Sequence, residues 1–287
     1  MTLKDAYNKA IFLLQKEHIK NPSLEARLII SYILKIDQKQ FILKIEKDKI
    51  NFYQWFLVRL KIRKRLTGIS MAYIIHRKYF YDSELYINRS VLIPRPETEL
   101  LIEIILKNVD KKRFYYILEI GTGSGNISIE LAKKIENCRI ESIDKSFFAL
   151  IVAKKNIVGN NISARKIKLE KKNIFKFRSD KKYDIIVSNP PYIETKQVEY
   201  LKNKRIVSDP FESLNGGKTG LDFYHTLKYL ALENLSENGF MIFEHGFDQK
   251  ENILKIFDDE KFSCNCFKDL NNLDRAIVIR HISKNIL

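Results

Sequence analysis

Tyr116-Ile117-Leu118-Glu119-Ile120-Gly121-Thr122-Gly123-Ser124-Gly125 reads as a buried strand that runs into a glycine-rich turn, and it decides the fold. Glycines at alternate positions let the backbone turn tightly and approach a ligand closely. Beyond the turn, Ile127, Ile129, Leu131, Ala132 and Ile135 recur with helical spacing, so a ligand in the turn would meet a helix N-terminus and its unpaired N–H groups. Arg139-Ile140-Glu141-Ser142-Ile143-Asp144 reads as a second strand ending in an acid. An acid about twenty residues past such a loop is placed to accept hydrogen bonds from a ribose diol. The pattern fits a dinucleotide or S-adenosylmethionine; the third glycine comes one residue early for the usual dinucleotide spacing.

Working outward, strands are expected at residues 116–120, 139–144, 165–169, 183–188, 239–244, 262–267 and 275–281, with helices over 147–158, 221–235 and 249–257 between them. This alternation implies an α/β, Rossmann-like doubly wound sheet, because parallel strands need a helical crossover. The polar loop 268–274 is too short for a helix, so the last two strands pair antiparallel. Ligands in such sheets bind outside the strand carboxyl ends, which brings Gly121 to Gly125, Asp144 and Asn189 to one crevice.

Asn189-Pro190-Pro191-Tyr192 directly follows the apolar strand 183–188. This tetrapeptide is suited to hold a planar NH2 group: the asparagine side-chain carbonyl accepts one amide hydrogen and the Pro190 backbone carbonyl accepts the other. Two prolines fix φ and remove competing donors, and Tyr192 offers a flat face for stacking. The chemistry that fits is group transfer to an amide or aromatic amine nitrogen.

The 287 residues, 45% of them hydrophobic, are enough for a full α/β core with a smaller second domain. Domains are expected at residues 1–75 (helical), 76–93 (a β-hairpin connector) and 94–287 (the sheet domain). In the first, Leu3, Ala6, Tyr7, Ala10, Leu13 and Leu14 share a helix face, Ser23 is expected to cap a helix over residues 24–34, and Asn51 with Gln54 forms a capping box for a helix ending near Arg65. Lys78 to Tyr81 and Leu85 to Ile87 make the hairpin. Cys138, Cys264 and Cys266 form no disulfide framework and lack a fourth zinc ligand, and His18, His76, His225, His245 and His281 are scattered, so no metal site is expected. No apolar run is long enough to span a bilayer, and the expected location is the cytoplasm. Lys+Arg 51 against Asp+Glu 35 gives a net charge of +16, read mainly as a lysine-rich composition. Basic residues are concentrated between Arg59 and Arg65, where they could meet RNA or an acidic protein, although a solvated helix face is the favoured reading.

The combination of VLIPRPETE (Val91 to Glu99), ILEIGTGSG (Ile117 to Gly125), IVSNPPYI (Ile186 to Ile193) and NGGKTGLDFY (Asn215 to Tyr224) resembles the HemK/PrmC family of N5-glutamine methyltransferases, over nearly the whole chain. The resemblance implies a class I S-adenosylmethionine-dependent methyltransferase acting on the Gly-Gly-Gln glutamine of class 1 peptide chain release factors, with the N-terminal domain helping to dock that partner. It implies a monomer that requires neither metal, membrane nor nucleic acid. Cofactor contacts would fall on Gly121, Thr122, Gly123, Ser124, Gly125, Asp144, Ile174 and Asn189. Asn189, Pro190, Pro191 and Tyr192 would bind substrate, with Asn189, Pro190 and Tyr192 carrying catalysis. Asn173-Ile174 departs from the family's acid followed by an aromatic, Thr219 stands where an acid is usual, and His245 replaces an apolar residue. An adenine-N6 methyltransferase of DNA or RNA shares Asn-Pro-Pro-Tyr and is the alternative. A nucleotide-binding module without catalysis is a third reading, against which the intact tetrapeptide argues.

Overall fold

A computed structural model describes residues 1–15 and 19–282, so His18 lies outside the described residues. The chain divides into two compact units, Met1–Arg77 with Lys202–Ser208, and Lys78–Leu201 with the residues from Asp209 onward.

The first unit holds α1 (Leu3–Gln15), α2 (Pro22–Leu34), α3 (Gln38–Lys44), α4 (Phe52–Leu66) and α5 (Met71–Ile75). Leu3, Ala6, Ala10 and Leu14 form the buried stripe of α1 and pack with Ile29 and Ile30 of α2 and Val58 and Ile62 of α4. Residues at three- and four-residue steps lie on one face, so apolar burial fixes the bundle. The box opening α4 is reciprocal: Asn51 Oδ1 accepts from Gln54 N (2.8 Å) while Gln54 Oε1 accepts from Asn51 N (3.0 Å). Asp37 and Gln40 make the same device for α3, a helix too short for periodicity to reveal. The expected Ser23 cap is corrected: α2 begins at Pro22, with Asn21 at the cap position and no side-chain cap bond. Proline at the first helical turn sacrifices an N–H that would be unpaired anyway.

From Lys78 the second unit runs through the hairpin β1 (Arg77–Phe80) and β2 (Ser83–Tyr86), then continues through α6 (Glu99–Asn108), β3 (Tyr115–Ile120), α7 (Asn126–Lys134), β4 (Cys138–Asp144) and α8 (Phe147–Gly159). Next come β5 (Ile167–Lys171), β6 (Tyr183–Ser188), α9 (Thr195–Asn203), α10 (Asp222–Asn234), β7 (Leu235–Glu244), α11 (Lys250–Ile256), β8 (Phe262–Lys268) and β9 (Asp274–His281). α9 crosses from this unit into the Lys202–Ser208 segment of the first. Seven of these strands form one sheet in the order β5-β4-β3-β6-β7-β9-β8. β9 pairs antiparallel with both β7 and β8, and the other pairs are parallel. The strand order reverses between β3 and β6, so the glycine loop and the Asn-Pro-Pro-Tyr turn emerge side by side at the switch point.

Strand β5 starts two residues later than expected. Lys166 N donates to Ser163 O (2.9 Å), and this turn consumes the residues assigned to the strand start. β7 starts earlier, directly after α10, and Gly239 within it comes so close to the Asp184 carbonyl that an added Cβ would lie 2.7 Å away. The hairpin is held to the sheet helices by Asn156 of α8, whose Oδ1 accepts from Tyr86 N (2.7 Å) and whose Nδ2 donates to Tyr86 O (3.0 Å). The core on one sheet face centres on Tyr224, Leu227 and Leu230 of α10 against Met241 and Phe243 of β7. No helix of the described residues is long and apolar enough to cross a membrane.

Candidate active site

A cavity of about 710 Å³ opens at the switch point, a size suited to a nucleoside-sized ligand. One wall is the glycine loop. Gly121 N and Thr122 N both donate to Ile143 O of the neighbouring strand (2.9 and 3.1 Å), and Gly125 N donates to Thr122 O (2.8 Å), closing the turn. Gly125 has a φ of +80° and faces Ala153 of α8, which an added Cβ would meet at 3.3 Å. Only glycine satisfies both the left-handed backbone and that approach. Asn156 reaches this turn too, donating from Nδ2 to Ser124 O (2.9 Å).

Asp144 sits at the end of β4 and lines the cavity. Its Oδ2 accepts from Gly123 N (2.9 Å) and its Oδ1 from Ser146 N (2.8 Å), so it ties the loop to the start of α8 and keeps further lone pairs for a ligand hydroxyl. Burial raises its pKa, and the two backbone donors oppose that shift. Apolar walls come from Ile127, Ile174 and Phe223. Ile174 is buried, and Asn173 turns its Oδ1 back to accept from Phe175 N (3.0 Å), so this segment presents carbon and backbone surface to the cavity. An acid for a diol, backbone N–H groups at a helix N-terminus and an apolar slot together fit S-adenosylmethionine.

Asn189, Pro190 and Pro191 form the neighbouring wall. Ser188 Oγ donates to Ile120 O (2.9 Å), locking the end of β6 to β3 just before the asparagine. Asn189 Nδ2 donates to Thr98 Oγ1 (2.8 Å) and Thr98 donates to Glu244 Oε2 (2.6 Å). Glu244 Oε1 accepts from the Tyr192 hydroxyl (3.2 Å). Burial drives the Glu244 pKa up to about 7, against the pull of Thr98, Arg275 and Tyr192. Burial likewise keeps the Tyr192 phenol protonated, with Glu244 adding to the effect.

The tetrapeptide backbone is clamped from outside. Gln249 Nε2 donates to Tyr192 O (2.8 Å), Ile193 N donates to Leu214 O (3.0 Å), and Gly216 N donates to Ile193 O (2.8 Å). An added Cβ at Gly216 would lie 2.7 Å from Tyr192 Cα, so the glycines of the 215–220 loop let two backbones touch. Val91, Leu92, Pro94, Arg95 and Thr98 complete the lining from the segment before α6. Asp209 fixes that segment, accepting from Ile93 N (2.9 Å) and Arg95 Nη2 (2.8 Å).

Among the residues singled out from sequence, Gly121, Thr122, Gly123, Ser124, Asp144, Ile174, Asn189, Pro190 and Pro191 line one cavity. Gly125 and Tyr192 do not: Gly125 packs behind the loop, and Tyr192 packs against the core with its hydroxyl on Glu244. Thr98 belongs to the VLIPRPETE segment, but its hydrogen-bonding role and those of Glu244, Asn156 and Gln249 were not read from sequence. A signal existed for Glu244, which ends strand β7 as Asp144 ends β4. An acid at the carboxyl end of a strand beside the Asn189 strand points at the same crevice.

Comparison with known proteins agrees with this geometry. Residues 97–240 match the family model described as Methyltransferase small domain, and residues 5–75 match the PrmC N-terminal domain. The release factor glutamine methyltransferase of Buchnera aphidicola subsp. Schizaphis graminum is 36% identical over 90% of this chain and 92% of its own. That of Clostridium botulinum is 33% identical over 98% of this chain and 99% of its own. A methyltransferase structure from Pyrococcus furiosus superposes with a TM-score of 0.51 over 70% of this chain and 90% of its own, at 20% identity, and shows the shared fold. With a methyltransferase sheet, a matching N-terminal domain and relatives that align from end to end, the chain belongs to the PrmC family of release factor glutamine methyltransferases.

Proposed function

We propose that this protein transfers a methyl group from S-adenosylmethionine to the side-chain amide nitrogen (N5) of the Gly-Gly-Gln glutamine in class 1 peptide chain release factors, acting as a monomer in the cytoplasm. The observation that carries this reading is the placement of Asn189. It shares a cavity with the glycine loop and Asp144, and its Nδ2 is already engaged by Thr98, so its Oδ1 remains as an acceptor. Membership in the family supports the choice of substrate over an adenine base.

An amide nitrogen is a weak nucleophile because its lone pair is delocalised into the carbonyl. The cofactor, when bound, supplies a methyl group already activated by a sulfonium. What the chain must add is position and electrostatics. Asn189 Oδ1 and the Pro190 carbonyl each accept one hydrogen of the substrate NH2, orienting the nitrogen and favouring positive charge as it develops there. The prolines and the backbone clamp from Gln249 and the 215–220 loop hold these two acceptors still. Val91, Leu92 and Pro94 put apolar surface on the cavity wall and exclude water, which strengthens the dipoles. The alkylated amide is acidic enough to lose its extra proton to solvent, so no strong base is required. Asp144 takes the ribose side of the site, and the N-terminal helical unit is assigned to docking the release factor.

Transfer of labelled methyl from the cofactor to purified release factor, run beside DNA and RNA substrates, tests the reading. Label in the release factor alone is expected. Label in nucleic acid alone would replace the reading with the adenine-N6 alternative.

A further inference from the structure

Behind Asn189 lies a hydrogen-bonded relay that links two of the motifs, through Thr98 of VLIPRPETE and Tyr192 of Asn-Pro-Pro-Tyr, to Glu244, which belongs to neither. Asn189 Nδ2 donates to Thr98 Oγ1, Thr98 donates to Glu244 Oε2, and the Tyr192 hydroxyl donates to Glu244 Oε1. Thr98 and Glu244 are each 1% exposed, so these groups have only one another to satisfy them. A hydroxyl owns one hydrogen, and an ionised carboxylate can only accept. Thr98 must therefore give its hydrogen to Glu244 and can offer Asn189 nothing but a lone pair. Asn189 must answer with its NH2, which turns its carbonyl oxygen toward the cavity. Reversing the relay reverses the asparagine: a protonated Glu244 can donate to Thr98, Thr98 can then donate to Asn189 Oδ1, and the NH2 would face the cavity. A substrate NH2 would then meet another donor.

We propose that Thr98 and Glu244 are positioning residues that set the polarity of Asn189, the Glu244 carboxylate acting through the Thr98 hydroxyl to keep Oδ1 pointed at the substrate nitrogen. This rests on the amide-methylation reading above. The groups around Glu244 come from several elements. Arg275 of β9 favours the ionised form, as do the Thr98 and Tyr192 hydroxyls, whereas Glu97 and burial oppose it. Tyr224 of α10 donates to the Glu244 backbone carbonyl (3.2 Å), and the adjacent His245 is buried, with burial lowering its pKa. With the Glu244 pKa raised by burial to about 7, the carboxylate that compels Thr98 to donate is present on the alkaline side, and protonation on the acid side frees the relay to reverse.

Three variants separate positioning from mere packing. Thr98→Val removes the hydroxyl at nearly constant shape, Thr98→Ser keeps it, and Glu244→Gln removes the titration. Each is assayed for kcat and KM on intact release factor across pH, with cofactor affinity measured by calorimetry. Thr98→Val is expected to lower kcat about 10- to 100-fold while cofactor affinity changes little, and Thr98→Ser is expected to recover most of the loss. The wild-type kcat should rise through neutral pH, and Glu244→Gln should abolish that rise. An undiminished kcat in Thr98→Val, or a Thr98→Ser enzyme as poor as Thr98→Val, would overturn the proposal even if Glu244→Gln does not fold. Absence of release factor methylation by the wild type would instead strike the reading on which the proposal rests, and the proposal with it.

Discussion

The two halves of the cavity are built differently. The glycine-loop half is made mostly of backbone: its contacts span shorter stretches of sequence, such as Gly123 N to Asp144, 21 positions away, and the turn closed by Gly125 N on Thr122 O. The Asn189 half is made of side chains whose partners are distant, with Thr98 separated from Asn189 by 91 positions and Gln249 from Tyr192 by 57. Each half is backed by a buried glutamate. Glu119 accepts from Ser142 Oγ (2.8 Å) and from Ser128, and burial lifts its pKa to about 7. Glu244 is lifted equally, also by burial, yet its hydrogen bonds lead on to the cavity wall. The same costly group thus ties α7 and β4 to β3 in one place and directs an amide in the other.

The largest expected effect is on the side-chain half. Asn189→Ala should lower methyl transfer by about 10²- to 10³-fold, the usual loss for one preorganised polar group, with cofactor affinity kept within a few fold. Single-turnover methylation beside calorimetry measures both, and near-normal transfer would erase the contrast. Asn189→Asp should be severely impaired as well. The introduced carboxylate can give Thr98 no hydrogen and would compete with Glu244 for the one that Thr98 has.

On the backbone half, Asp144→Ala should weaken binding of S-adenosylhomocysteine by about 10- to 100-fold, the scale of a charge-assisted hydrogen bond of roughly 1.5 to 3 kcal/mol. The fold should survive, although Gly123 N and Ser146 N lose their acceptor. Asp144→Asn, which keeps an acceptor, should lose less. Unchanged affinity in both would mean that β4 does not end at the ribose. Tyr192→Phe should be milder still, several-fold in kcat, since it removes one neutral hydrogen bond to Glu244 and keeps the ring in the core.

Much of this architecture was legible because apolar strands, glycines at a turn and prolines at a strand end act locally. The sheet, its antiparallel last pair and the meeting of Gly121 to Ser124, Asp144 and Asn189 at one crevice followed from those signals. The hydrogen bonds of Thr98, Glu244, Asn156 and Gln249 escaped because a bond between groups far apart in sequence leaves no spacing to read. The place of Tyr192 escaped for the same reason: its motif suggested a stacking face, whereas Glu244 draws its hydroxyl inward. Within the basic run, Lys61 donates to Ile74 O (2.7 Å) and Arg65 pairs with Glu25 (2.8 Å), which composition could not distinguish from the exposed Arg59, Arg63 and Lys64.

The two buried glutamates also predict a pH signature of stability. Both have folded pKa values above their unfolded value of about 4.3, so the folded chain binds protons more tightly. Stability is then fully present below the unfolded pKa and is lost as pH rises through about 7. Denaturant titrations from acid to neutral pH should show that decline, and Glu119→Gln should reduce its slope. A wild-type stability that climbs over this range would contradict the assignment. The smallest expected effect lies on α4: replacing Arg59, Arg63 and Lys64 with glutamine should leave turnover on intact release factor unchanged. A KM that rises for the intact protein and not for a Gly-Gly-Gln peptide would make that face a docking surface.

The central claim is that the cavity delivers a methyl group to a glutamine amide. Mass-spectrometric mapping of release factor after incubation with the enzyme and S-adenosylmethionine tests it most directly. The account predicts a single added methyl on the side-chain nitrogen of the Gly-Gly-Gln glutamine, absent when Asn189→Ala replaces the wild type. A release factor left unmodified by active, cofactor-binding enzyme, or methylated at another residue, would contradict it.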